Sequence, residues 1–199
     1  MGVVVVAAVV ELVAPSVIEA RMEERVRERT REVAGVSAEV DSFPVVTRLL
    51  MTGRIRHVTL TLDQVVRQRV TFATVRLTLE GLELDRDVLL RHQEVDPRDI
   101  ESGMLTAELT AAVLSDLVDA PVELRPGQVS VTLGGTEVTV QPEIRDRTLR
   151  LGGRRVTALS LPLPEELATC SPDLVVQLGR LLFSCRLQEL PSMLKGASG

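Results

Sequence analysis

The side chains able to make or break bonds in this chain are few and scattered. Two histidines, His57 and His92, and two cysteines, Cys170 and Cys185, are its whole complement of imidazoles and thiols. Two thiols with two distant histidines do not make the four-ligand set of a structural zinc site, so no metal is expected. His57 stands among Arg54, Arg56 and Thr59, and His92 follows Arg91, with no serine or cysteine spaced to pair with a general base. Both read as surface histidines. Glu94, Asp96, Asp99 and Glu101 supply oxygen ligands but lack the spacing and central glycine of a calcium loop, and read as a solvated segment. The nucleophile elbow, the phosphate-binding loop, the Rossmann glycine pattern and the His-Glu-x-x-His helix are absent. The Gly-Gly pairs lie between strand-like segments, with no helix behind them to hold a phosphate. The reading is of a protein that is not an enzyme and carries no cofactor.

Composition narrows the remaining classes. The 199 residues are 45% apolar and 26% charged, with a formal net charge of −5 and 2% aromatic residues, namely Phe43, Phe72 and Phe183. A chain of this size buries roughly 70% of its unfolded surface, enough for one core. Single-stranded nucleic-acid binders need aromatic stacking platforms and a basic groove, so no nucleic-acid partner is expected. The same shortage of rings leaves no platform for a sugar, which speaks against a glycoside hydrolase. Cys170 and Cys185 are fifteen residues apart; they read either as a candidate disulfide or as two free buried thiols.

Val3 to Val10 is a Val/Ala run too short to span a bilayer, broken by Glu11 and Pro15. It reads either as a buried segment or as the remnant of a membrane anchor. Residues 1–15 are therefore set apart as an apolar N-terminal segment, 16–190 as a single domain and 191–199 as a C-terminal tail. From Ser16 to Val33, Ile18, Met22, Val26 and Val33 form one narrow helical stripe, while the charged faces read as solvated. A second helix is predicted from Pro44 to Met51, capped by Ser42 and stopped by Gly53.

Partial alternation at Ile55, Val58, Leu60 and Leu62, then clean alternation at Val75, Leu77 and Leu79, predicts strands, with Gly81 an interruption before Leu82 and Leu84. Asp85 to Asp99 reads as a short polar helix or loop. Ile100 to Leu105 is predicted extended and Thr106 to Val118 helical, with Leu109, Val113, Leu114 and Leu117 on one stripe, ended by Pro121. A β meander follows, with Gly134-Gly135 and Gly152-Gly153 as its turns. A proline-rich connection leads to a last strand near Leu181 to Leu190.

The order of these pieces resembles a known family. Phe43-Pro44-Val45-Val46 runs through Leu49-Leu50 to Gly53. After the next strand comes Val75-Arg76-Leu77-Thr78-Leu79-Glu80-Gly81-Leu82-Glu83-Leu84. Ser102-Gly103-Met104-Leu105-Thr106-Ala107-Glu108-Leu109-Thr110, the Gly134-Gly135 hairpin and Leu161-Pro162-Leu163-Pro164 keep the same order. Over about Ile18 to Leu190 the chain resembles the LmeA-like phospholipid-binding proteins of actinobacterial cell envelopes. That resemblance implies an α+β fold, a curved and mostly antiparallel sheet packed on short amphipathic helices, similar to tubular lipid-binding folds. It implies an extracytoplasmic domain, membrane-associated or secreted, that binds phosphatidylinositol-type lipid and supports glycolipid or mannan assembly. The chain departs from the family pattern at Pro191-Ser192-Met193-Leu194, where a glycine turn and another strand are expected.

The reading is a non-enzymatic module that holds phospholipid acyl chains in an apolar groove, with phospholipid or a membrane surface as its partner. Its candidate lining is Val45, Leu49 and Leu50 on the first apolar helix, Val113, Leu114 and Leu117 on the second, and Phe72, Leu77, Leu79 and Met104 from the sheet. Arg48 and Arg54 are the candidate headgroup contacts. The alternative is a structural or assembly domain whose apolar surface packs against a partner or a second copy.

Overall fold

The protein is described here by a computed structural model, which covers residues 16–24, 26–27, 33–41, 44–67, 70–92, 95–145, 148–153, 156–162, 170, 172–191 and 194. The Val/Ala run, the Ser42 cap, Glu94 and most of the C-terminal tail lie outside the described residues.

A first helix, α1 (residues 16–24 and 26–27), buries Ile18, Met22 and Val26, one residue per turn, as the narrow stripe predicts, whereas Val33, read as its last member, is half-buried outside any helix, two residues before β1. Then follow β1 (Gly35–Val40), α2 (Val45–Thr52), β2 (Arg54–Arg67), β3 (Val70–Leu84), α3 (Arg86–His92), β4 (Pro97–Asp99), β5 (Ser102–Thr110) and α4 (Ala111–Val118). The remaining strands are β6 (Val122–Arg125), β7 (Gln128–Leu133), β8 (Thr136–Arg145), β9 (Thr148–Gly153), β10 (Val156–Pro162), β11 (Asp173–Gln177) and β12 (Arg180–Leu187). A seven-stranded sheet runs β1-β2-β3-β5-β12-β11, with β4 paired to β3, and a five-stranded sheet runs β10-β9-β8-β7-β6. The class is α+β with mostly antiparallel sheets.

The chain divides into two compact units. The first holds residues up to Leu62, Arg76–Met104 and Leu187 onward. Its core sets Ile18, Met22 and Val26 of α1 and Leu49 of α2 among Ile55, Val58, Leu60, Leu77, Leu79 and Leu82 of the sheet, all buried. The second holds Asp63–Val75 and Leu105–Arg186. Its core contains Phe72 and Phe183, edge to face with ring centroids 6.3 Å apart, and Leu105, Leu109, Leu114 and Leu181. Cys170 and Cys185 are joined in this unit, their Cα atoms 6.1 Å apart.

Two breaks in alternation, one in β3 and one in β2 beyond Leu62, have a geometric cause. Successive side chains in a strand alternate between faces, so a buried set that changes parity needs an extra residue, a bulge. In β3 the buried set passes from Leu77 and Leu79 to Leu82 and Leu84 across Gly81, whose φ is +62°. In β2 it passes from Leu62 to Val65 across Gln64, whose φ is 52°. Gly81 is thus a bulge inside one continuous strand, and Leu82 and Leu84 extend it.

Four further expectations change. Leu105, Ala107 and Leu109 are buried in alternation, so β5 runs to Thr110 and α4 begins only at Ala111, where the predicted helix began at Thr106. Thr110 caps α4 by accepting the Val113 N–H at 3.4 Å. At α2, Pro44 is the cap residue and offers no side-chain bond, while Gly53 ends the helix in the left-handed conformation as expected. Gly152 pairs with Gln141 and Gly153 with Val156, so these glycines are strand residues and not a turn. The region read as a proline-rich connection ends in an extra strand, β11, which pairs with β12 across the Leu178-Gly179 turn.

Candidate functional site

The site is built in the first unit, where α2 hands over to β2. Gly53, at φ 71°, donates its N–H to Leu49 O at 2.8 Å, and its carbonyl accepts the Leu84 N–H at 2.9 Å. Only a residue free to adopt positive φ reverses the chain this tightly. The Thr52 hydroxyl donates to Arg48 O at 2.9 Å and accepts the Arg54 N–H at 3.3 Å, tying the last helical turn to the first strand residue. Arg54 and Arg56 then fall on one exposed face of β2 while Ile55 and Val58 point into the core.

On the neighbouring strand the bulge at Gly81 governs which carboxylates face out. Without it, alternation would send Glu83 to the face that buries Leu77 and Leu79. With it, Glu83 Oε2 accepts from Arg54 Nε at 3.1 Å and Nη2 at 3.0 Å. Glu80 Oε2 accepts from the Ser102 hydroxyl at 2.9 Å, and Glu80 O accepts the Glu101 N–H at 3.0 Å, which brings Glu101 over Gly81.

These pieces line a groove of about 1040 Å³, with Asp41, Arg48, Thr52, Arg54, Ile55, Arg56, His57, Glu80, Gly81, Glu83 and Glu101 on its walls. Three guanidiniums and four carboxylates face it. Arg48 has no ion-pair partner among the described residues. Arg54 spends two donors on one oxygen of Glu83 and keeps others for a second acceptor. A guanidinium with free donors can take a phosphate in forked geometry, and carboxylates can accept from hydroxyl or ammonium groups attached to it.

Both candidate headgroup residues, Arg48 and Arg54, line this groove, and none of the ten candidate acyl-chain residues does. In the first unit, Leu49, Leu77 and Leu79 are core residues and Met104 is 36% exposed; Val45 and Leu50 belong to α2, and their side chains are not among those described. In the second unit Phe72 and Leu114 are fully buried, and Val113 and Leu117 are half-buried on α4. Sequence reasoning missed Asp41, Arg56, Glu80, Glu83 and Glu101 as one set. The available signal was the Arg54-x-Arg56 alternation directly after a helix-ending glycine; the carboxylates gave none, because a bulge decides their face.

Among the described residues no group of three or more His, Cys, Asp or Glu is arranged to hold a metal ion, and no helix is long and apolar enough to cross a membrane. No curated protein and no solved structure matches the chain. The model of one family does match, over residues 9–195, nearly the whole length. On that match, and with the order of elements described above, the chain belongs to the LmeA-like phospholipid-binding family.

Proposed function

We propose that the protein binds a phosphatidylinositol-type phospholipid without chemical turnover and so supports glycolipid or mannan assembly in the cell envelope, outside the cytoplasm. The observation that carries this reading is the groove beside α2, where Arg48, Arg54 and Arg56 stand with Asp41, Glu80 and Glu101 around one space. A phosphate ester bearing a ring of hydroxyls supplies acceptors for the first set and donors for the second. The Cys170–Cys185 bond supports an oxidising compartment.

Acyl chains are the larger source of affinity, at about 0.8 kcal/mol for each methylene removed from water. In the first unit they would lie against α2 and the sheet, on Val45, Leu49, Leu50, Leu77, Leu79 and Met104. In the second unit Phe72, Val113, Leu114 and Leu117 form a separate apolar set. Leu77, Leu79 and Leu114 are closed to solvent, so a chain reaching them enters by opening the core.

Native mass spectrometry of the purified protein, followed by organic extraction, is the test. A near-stoichiometric phospholipid is the expected result, and a clean apo mass with no uptake from phosphatidylinositol vesicles would sink the reading. The double variant R48A/R54A is expected to weaken binding of a short-chain phosphatidylinositol by about a hundredfold or more, since each charged hydrogen bond contributes roughly 1.5–3 kcal/mol. Both side chains are exposed, so the fold survives their removal.

A further inference from the structure

Among the described residues, the two most exposed large apolar side chains are Met51, in the last turn of α2, and Leu178, in the β11–β12 turn, each 77% exposed. Their charged surroundings differ. Arg180, two residues from Leu178, donates to Gln177 Oε1 at 3.0 Å and Glu108 Oε2 at 3.4 Å. Arg125 neighbours the residue whose carbonyl accepts the Gly179 N–H, Leu124, and its guanidinium is held by both oxygens of Glu123 at 2.9 and 3.0 Å. Among the described residues, Arg180 and Arg125 are therefore already answered.

Met51 stands three residues after Arg48, on the same side of the helix, and directly before Thr52. Arg48 has no ion-pair partner among the described residues, and both Arg48 and Thr52 line the groove. The opposite side of α2 buries Leu49. The carboxylates of the groove come from β3 and from the residues after β1 and β4, and none from α2. The outward side of α2 thus offers an unbranched apolar side chain one turn beyond a guanidinium that has no ion-pair partner among the described residues, beside a polar groove. A phospholipid bilayer matches that pair, because its phosphates lie just outside the acyl boundary an apolar tip enters.

We propose that the C-terminal turn of α2 is a membrane-docking element. Met51 enters the acyl boundary of a phospholipid leaflet, Arg48 meets the phosphates of that leaflet, and the groove is brought against the lipid it takes. This rests on the phospholipid reading of the groove.

The chain has no tryptophan, so M51W and L178W each carry a single reporter in the full-length protein. With vesicles of phosphatidylcholine and phosphatidylinositol, M51W emission is expected to shift to the blue and to be quenched by brominated acyl chains, while L178W stays unchanged. M51D is expected to reduce co-sedimentation with the same vesicles about tenfold, since it removes a buried apolar tip and adds a charge. It should leave binding of monomeric dihexanoyl-phosphatidylinositol as it was. A silent M51W, a shift in L178W instead, or a blue M51W that appears without lipid as protein concentration rises would each overturn the proposal, the last by showing a second copy on this surface. Loss of short-chain lipid binding in the unsubstituted protein would overturn the headgroup reading, whereas normal short-chain binding with a silent M51W overturns docking alone.

Discussion

Asp85 starts α3 with one carboxylate doing two jobs. Oδ1 accepts the N–H groups of Asp87 at 2.9 Å and Val88 at 3.1 Å, and Oδ2 accepts from Arg98 at 2.6 Å. The Val88 N–H first, and then Arg98, hold the carboxyl below its ordinary range, and Arg98 is raised in turn by Asp85. A depressed carboxylate stabilises the fold above its unfolded pKa, and the contribution is lost as pH falls through the folded one. Stability is therefore expected to drop in acid below the ordinary carboxylate range, and D85N to flatten that limb while lowering stability at neutral pH. Urea titrations across that range check it; an unchanged acid limb in D85N would refute the assignment. Gly81 makes the second residue-scale prediction. A Cβ there would lie 2.7 Å from Glu101 Cβ and 2.9 Å from Glu101 Oε2 at φ +62°, whereas one at Gly134, φ +56°, meets nothing within 4 Å. G134A is expected to cost about 1–2 kcal/mol of left-handed strain alone. G81A should cost more, because it adds the clash, and equal losses in thermal unfolding would argue against the bulge as described.

At the scale of elements, α1 does something its charge pattern conceals. β1 ends the seven-stranded sheet, and an edge strand presents unpaired N–H groups that invite pairing with another chain. Glu23 Oε1 accepts the Ala38 N–H at 3.0 Å and Glu19 Oε1 the Val40 N–H at 2.9 Å. Four helical residues rise about 6 Å and two strand residues about 6.6 Å, so the spacings match. E19A/E23A is expected to destabilise by about 2–4 kcal/mol, from two hydrogen bonds to charged acceptors, and to promote self-association through the freed edge. Calorimetry and light scattering would check both, and a stable, monodisperse variant would remove the edge-guarding role. In the sequence Glu19 and Glu23 belong to a face that reads as wholly solvated, because periodicity tells which side of a helix is polar and not what lies against it. The α1 stripe was legible at Ile18, Met22 and Val26, whose burial follows from helical period alone, but not at Val33, which is half-buried outside any helix. The start of α4 was not, because Leu109 fits a helical stripe with Val113 as well as a strand with Leu105 and Ala107, and only pairing within the sheet separates the two.

For the whole molecule, the Cys170–Cys185 bond closes a loop of separation 15 in the second unit. In the chain-entropy model such a loop contributes about 3 kcal/mol by restricting the unfolded chain. Reduction, or C170A/C185A, is expected to lower the unfolding temperature by several degrees, and a mass shift on alkylation only after reduction would show the bond in the purified protein. Two thiols that alkylate at once would contradict it.

What the residues determined unaided were local quantities. The burial of Ile18, Met22 and Val26 on α1, the stop at Gly53 and the hairpin at Gly134-Gly135 follow from residue type and short-range period, and the α+β class from the family resemblance. The family was legible too, in the order of its Leu, Gly and Pro positions. Tertiary structure alone decided which charged residues share a space. Arg48, Arg54, Glu83 and Glu101 come from four segments, and their convergence depends on a one-residue bulge at Gly81 that reverses the faces of β3. Alternation fixes faces only while the count is unbroken, and whether an extra residue is accommodated is settled by the partner strand and the core behind it.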